Sequence, residues 1–320
     1  MTYSTGGLIQ ATDYNGFVST TVGANINATM NTTYGQTALS TVAAAGTVTA
    51  TQWSTLNANI SSMASHQGTS ITSRTNPVVG NVIAVLANVN ADITTCYTNR
   101  YNAATQGTQF IGWTGTASKT TATGSGAAAW TITFTNTITF ANTTAASNFF
   151  NAGGMLKIQS SKTSTGTVAD TEWNAFIGTT CGTIYLTSTG ASKTLNGTTY
   201  TGTTKIGGTG TPTILTTSTG FAQLTSTPVT IYKQFDSGAA YSSNYVQMNA
   251  SISGAVLTLT SVWYDNGDTN PGAPAAITGG TATTGITFGS APTTVVTYFP
   301  PETTYLTNVW GTPTVASSVV

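Results

Sequence analysis

Residues able to do chemistry are few in this chain: eight acids, eight bases and a single histidine among 320 residues. Asp170 and Glu172, in the stretch "DTEWNAF", are near neighbours, and two acids flanking one cleft are what glycoside hydrolysis requires. The run "DNGDTN" from Asp265 to Asn270 is the densest collection of oxygen ligands, so Asp265, Asp268 and Asn270 form a weak candidate set for calcium. That run lacks the Glu that closes an EF-hand loop, and Asn-Gly is ordinary turn chemistry. His66 stands two residues before Gly68, where an imidazole suits the end of a helix and the glycine suits its C-cap. Cys96 and Cys181 have neither a disulfide-framework nor a metal-ligand spacing and read as free thiols. No G-x-S-x-G elbow, phosphate-binding loop, dinucleotide fingerprint or HExxH occurs. The expectation is a chain that is not an enzyme, with no catalytic residue and no cofactor.

The elements that would carry these residues begin with a repeated formula. "ATDYNGF", "ATQWSTL" and "DTEWNAF" each place Thr, an acid or amide, a large aromatic, and then Asn or Ser. The second copy, at Thr49–Gln52, is a capping-box pattern: the Thr hydroxyl accepts from the amide three residues on, and the Gln reaches back. Asp13 and Glu172 take the equivalent first-turn position, where an acid favours the positive end of the helix dipole. Tyr14, Trp53 and Trp173 follow as the first anchors onto a core. The formula therefore reads as a way of starting a helix, with a recognition role as its competitor.

Helical periodicity runs through roughly the first 105 residues. Apolar positions recur at Tyr14, Phe17, Val18 and Val22, and again at Trp53, Leu56, Ile60 and Met63. A third helix, capped by Asn76 and opened by Pro77, carries Val79, Val82, Leu86, Val89, Ile93 and Cys96 in a three-four spacing. That seam could pack inside a helical bundle of one chain or meet copies of itself about an axis. After Gly107 the period changes to two. "AWTITFTNTITF" alternates apolar with Thr or Asn, and seven further strand-like runs follow, from "GGMLKIQSS" to "TVVTYF". The expected fold is α+β and multidomain: a helical module over 1–105, a linker over 106–126, antiparallel β-sandwich-like structure over 127–300 as one or two subdomains, and an extended arm over 301–320. The third cassette is expected as a short helix over Thr171–Ile177, on a crossover between strands.

Composition bounds the function. Charged residues are 5% of the chain against roughly 25% in an ordinary soluble domain, so no basic patch exists to neutralise a row of phosphates. Nucleic-acid binding is disfavoured, and no apolar run approaches a membrane span. The opening residues lack a basic region and an apolar stretch, so no signal peptide is expected. Threonine is roughly a quarter of the chain, an unusual bias. With 39% hydrophobic residues and 6 Trp, 13 Tyr and 11 Phe, the chain must fold around a core. A surface of hydroxyls and amides at zero net charge favours association over free dispersion. A carbohydrate-binding role would need exposed rings, for which Trp263, Tyr264 and Trp310 are the handles.

The N-terminal pattern "LIQATDYNGF … YGQ … TVTATQWSTLNANI … HQ", with the later "FFNAGGMLKIQSS" and "DTEWNAFI", resembles a group of tailed-phage virion structural proteins, especially of marine and cyanobacterial phages. The resemblance covers residues 1–105 and about 130–265. It implies a non-enzymatic subunit of fibre, appendage or decoration type, located in the virion, and brings no catalytic residue with it. The partners expected are other copies of the chain, with a trimer favoured, other virion proteins, and a host-surface glycan.

Overall fold

A computed structural model of the chain describes residues 11–19, 23–76, 78, 86–116, 130–163, 168–238, 241–266 and 292–320. Within them lie six α-helices and thirteen β-strands in antiparallel sheets, an α+β fold.

Four helices come first: α1 (Ala11–Val18), α2 (Ile26–Met30), α3 (Ala50–Gln67) and α4 (Leu86–Thr98). The start of α3 follows the sequence pattern. Gln52 N–H donates to Thr49 Oγ1 at 3.2 Å, and Thr49 N–H donates to Gln52 Oε1 at 2.8 Å, which satisfies two amides that the helix itself leaves free. Gly68 ends it in the left-handed region, φ 69°. Helix α2 was not expected from periodicity, since one turn is too short to show a face; Asn25 caps it by accepting from Ala28 N–H. Helix α4 turns Val89 and Ile93 into the chain's own core, 2% and 1% exposed, beside Cys96. Of the two ways to cover the seam, packing within the chain holds for these two residues, which lie where α2 and α3 pack on α4 and are thus not open to another copy. Leu86 opens the helix, and Val79 and Val82 lie outside the described residues.

Two sheets follow. One has the order β1 (Phe110–Thr116), β12 (Thr293–Phe299), β3 (Met155–Ser161), β4 (Thr183–Leu186), β7 (Thr203–Ile206). The other runs β13 (Thr314–Val319), β2 (Trp130–Thr139), β11 (Val256–Asp265), β10 (Tyr245–Ser253), β9 (Val229–Phe235), β8 (Ile214–Leu215). A small hairpin, β5 (Lys193–Leu195) and β6 (Thr198–Tyr200), stands apart. All eight runs read as strands from their alternation hold a strand. Strand β2 shows why: Trp130, Ile132, Phe134 and Ile138 are buried while Thr131, Thr133, Thr135 and Thr137 on the other face are half-exposed.

The remaining helices connect strands: α5 (Thr143–Asn151), capped by Asn142, and α6 (Val168–Ala175), which continues into a π-helical turn over Phe176–Cys181. The third cassette thus forms a helix that starts three residues earlier than expected and extends past Ile177.

One core serves both parts of the chain. It runs from Tyr14, Trp53 and Ile93 through Phe134, Phe149 and Trp263 to Trp310. The helices of the first hundred residues pack on one another, and their buried side chains belong to the same cluster as those of the sheets. Polar ties reinforce the join: Gln36 exchanges two hydrogen bonds with the Thr307 backbone, at 3.0 and 2.9 Å, and His66 bonds the Ala152 carbonyl. Residues 106–126, expected as a linker, contain β1; Gln106 bridges to Pro301 and donates to the Gly153 carbonyl. The last residues are extended, as expected of an arm, but they pair with β2 of their own chain from Thr314 to Val319.

Candidate functional site

Two of the three cassette aromatics meet each other. Tyr14 and Phe17 on α1 pack edge-on against Trp53 at the start of α3, with ring centroids 5.8 and 6.0 Å apart. All three are 1% exposed. Trp173, from the third copy, lies parallel to Trp263 at 5.6 Å and close to Trp130 at 4.9 Å. Tyr14 and Trp53 fasten the first turns of α1 and α3 to the core and Trp173 the last turn of α6, so none is presented to an outside ligand.

Acidic residues gather where α6 meets the ends of β9 and β11. Asp265 is 5% exposed and turned inward; its Oδ2 accepts from Trp173 Nε1 at 2.9 Å and from Asn244 Nδ2 at 3.1 Å. Asp268 and Asn270, the other members of the calcium candidate, lie outside the described residues. Glu172 has an acidic neighbour in Asp236, at the end of β9: the two carboxyls share a hydrogen bond; the side chain of Asp170 lies outside the described residues. Burial pushes Asp236 up to about 6, the Glu172 carboxyl adds to that, and the amides of Gly238 and Ser237 pull the other way. Among the described residues no three or more His, Cys, Asp or Glu side chains converge to hold a metal ion.

His66 is buried to 1% exposure at the end of α3, edge-on to Tyr34 and with Nε2 3.1 Å from the Ala152 carbonyl oxygen. A carbonyl can only accept, so the neutral ring carries its proton on Nε2, and Nδ1 has no partner. Burial lowers this histidine to about 4; the carbonyl and the Glu302 charge act against it. Helix capping, expected from the position before Gly68, is replaced by a tie to the loop after α5. Both thiols are buried and pushed upward by burial, Cys96 to about 11 and Cys181 to about 12.

The rings proposed for glycan stacking divide. Trp263 and Trp310 are core residues, 0% and 1% exposed, so neither is available to stack on a sugar; for Trp263 this is the inward place that the alternation of its strand gives it. Tyr264 is half-buried on the outer face of the six-stranded sheet, in register with Tyr245, which is in turn opposite Phe235. The rings of this row contact one another. Tyr245 stacks on Tyr264 at 4.8 Å, and Lys233 Nζ lies 3.7 Å above the Tyr245 ring. Such a row is cross-strand stabilisation of the sheet.

An open polar groove lies elsewhere. After Gly68 the chain turns back and runs beside α3 until Asn57 Nδ2 donates to Asn76 Oδ1 at 3.3 Å. Between helix and returning segment is a groove of about 390 Å³, walled by Asn57, Ser61, Ser65, Thr72, Arg74 and Asn76. Small side chains on one stripe of α3 (Ala58, Ser61, Ala64, Ser65) leave the space, and Ile71 supplies apolar surface. The Arg74 guanidinium pairs with Asp92, whose Oδ2 also accepts from Thr72 N–H at 3.1 Å. Asn57 Oδ1 and Arg74 Nε are buried behind this wall, out of reach of the groove, and have no partner. Periodicity gave the helix that carries this wall, but not the groove, since nothing local signals that residues 69–76 fold back along it.

No protein-family model, curated protein or solved structure gives a match to this chain.

Proposed function

We propose that the chain is a non-enzymatic structural subunit of a tailed-phage virion, most simply a tail- or neck-associated fibre or appendage protein, with capsid decoration as the alternative position. The observation that carries this reading is the single core joining helices, both sheets and the final strand, beneath a surface almost without ions. Such a body gives little response to salt or pH and offers hydroxyls and amides for close contact with neighbours. Self-association, with a trimer favoured, and contact with other virion proteins belong to the same proposal. Gold-labelled antibody against the chain, applied to purified particles, tests it. Label at a fixed point on the tail or neck is expected; label over the head would favour decoration, and particles without label would end the reading.

A second reading, a glycan-binding adhesin, is favoured by one feature. The open groove beside α3 is walled mostly by hydroxyls and amides, and its one cation, Arg74, is paired with Asp92.

A further inference from the structure

We infer that strand β13 is where two copies of this chain join, its outer edge pairing antiparallel with the same edge of a second copy about a two-fold axis at Ser317. The inference rests on the self-association proposed above and not on the chain's place in a particle. Four strands end the two large sheets, and three of them are poorly suited to a further partner. Strand β1 carries a bulge where its register slips between Ile111 and Trp113. Strand β7 has four residues and holds Lys205, and β8 has only two residues. A bulge, a charge and shortness are the common ways of blunting a sheet edge. Strand β13 has none of them: it runs six residues in unbroken register with β2, with no ionic side chain and no proline.

The hydrogen-bond pattern makes this edge its own complement. Val320 and Thr133 exchange both backbone bonds, at 3.1 and 2.8 Å. By the antiparallel alternation, Ser318 and Ala316 also turn their backbone groups towards β2, while Val315, Ser317 and Val319 turn theirs away. Among the described residues those outward N–H and C=O groups have no partner. A two-fold axis at Ser317 sets it opposite the partner's Ser317 and sets Val315 opposite the partner's Val319, so every one of them is paired. Side chains match because the stretch Val-Ala-Ser-Ser-Val is nearly palindromic about that residue. Val315 and Val319 share the inner face with Phe134 and Ile138 and are only half-buried against the core; the added strand brings a valine against each. On the outer face Ala316 meets the partner's Ser318, two small groups that leave the backbones free to approach. Exposed apolar side chains flank the edge. Gly112 of β1 lies so close to Val315 that an added Cβ would meet Val315 Cγ2 at 2.7 Å. Just before it, Phe110 and Ile111 are 48% and 69% exposed, and Val320, which follows β13, is 77% exposed. Apolar groups left together in water mark a contact surface. A two-fold contact joins copies in pairs, so a trimer formed elsewhere on the surface would be doubled by it to a hexamer.

Disulfide trapping in the full-length chain tests the pairing and its register together. Ala316 and Ser318 are exposed, so Ala316→Cys and Ser318→Cys should fold as the native chain does, with unchanged melting temperatures, and the buried Cys96 and Cys181 do not compete. Residue 316 of one copy stands directly opposite residue 318 of the other, about 4.5 Å apart between Cα atoms, within disulfide range. Two copies of residue 316 stand diagonally, about 7–8 Å apart, beyond that range. The two variants, mixed, brought to equilibrium and then oxidised, should give a linked dimer that neither gives alone. Light scattering on the native chain over a dilution series should show assemblies with an even number of chains. A monomer at every dilution overturns this interface and self-association together. An oligomer that yields no link in the mixture overturns the β13 interface and leaves self-association through another surface. Links as abundant in either single variant as in the mixture overturn the two-fold register at Ser317.

Discussion

Two residues whose burial opposes their charge, His66 and Asp236, set opposite pH dependences. His66 falls from 6.5 to about 4 on folding, chiefly by burial, so the native state prefers the neutral ring. Its contribution is complete above pH 6.5 and is lost as pH falls towards 4, a loss of about 3 kcal/mol. Asp236 rises from 3.8 to about 6, again chiefly by burial, so its contribution is complete below pH 3.8 and is lost as pH rises through 6. Across pH 4–6 the two slopes offset each other. Removing one should expose the other. Thermal melts at pH 4.5 and 7 should show Asp236→Asn losing more stability on acidification than the native chain, and His66→Gln losing less. Equal pH slopes in all three proteins would refute the assignment.

The repeated aromatic cassette makes another claim at the same scale, and Trp53 tests it. Trp53→Ala should cost about 3–5 kcal/mol, because it empties a site packed by Tyr14 and Phe17. Thr49→Ala, which loses the cap, should cost only about 1 kcal/mol. Denaturant unfolding of the two variants compares them. An unchanged midpoint for Trp53→Ala, with a lost binding activity, would make the cassette a recognition motif instead.

Among the elements, the helices and sheets depend on one another. Trp53, Leu56 and Ile60 on α3 belong to the same buried cluster as Phe149 on α5 and Leu306 near the last strand. Gln36 reaches Thr307 across most of the sequence, and its side chain is the one that bonds that backbone in both directions. A fragment ending at residue 105 would lose the Gln36–Thr307 and His66–Ala152 ties and the part of the buried cluster that later residues supply. It should therefore lack fixed tertiary structure, and so should the fragment that starts at 106. Near-ultraviolet circular dichroism of each fragment, alone and mixed, checks this. A cooperative melt from either fragment alone would show that the helices form an independent module.

For the whole molecule, assembly should use sheet edges rather than the α4 seam, whose Val89 and Ile93 are spent within the chain. Strand β13 ends the six-stranded sheet, and its sequence "TVASSV" carries neither a charge nor a proline. Natural edge strands commonly carry such residues to block pairing with another chain. Ala316 and Ser318 are exposed on this strand. If copies join there, Ala316→Lys with Ser318→Lys should convert an oligomer to a folded monomer, read by light scattering and a preserved melting temperature. An oligomer indifferent to both lysines would place the interface elsewhere.

Sequence alone determined what local chemistry fixes. The Thr49–Gln52 box, the Gly68 stop and the alternation of "TITFTNTIT" appear in the structure as read, because caps and side-chain periods need only near neighbours. Periodicity also found the buried face of α4, and was silent on whether its own chain or another copy would cover it. Tertiary structure decided that, as it decided the burial of Trp310, the pairing of Glu172 with Asp236, and the place of the final residues beside β2. Each of these joins groups far apart in the chain. Their energies depend on which surfaces the single core brings within a few ångströms, and no spacing along the sequence encodes that.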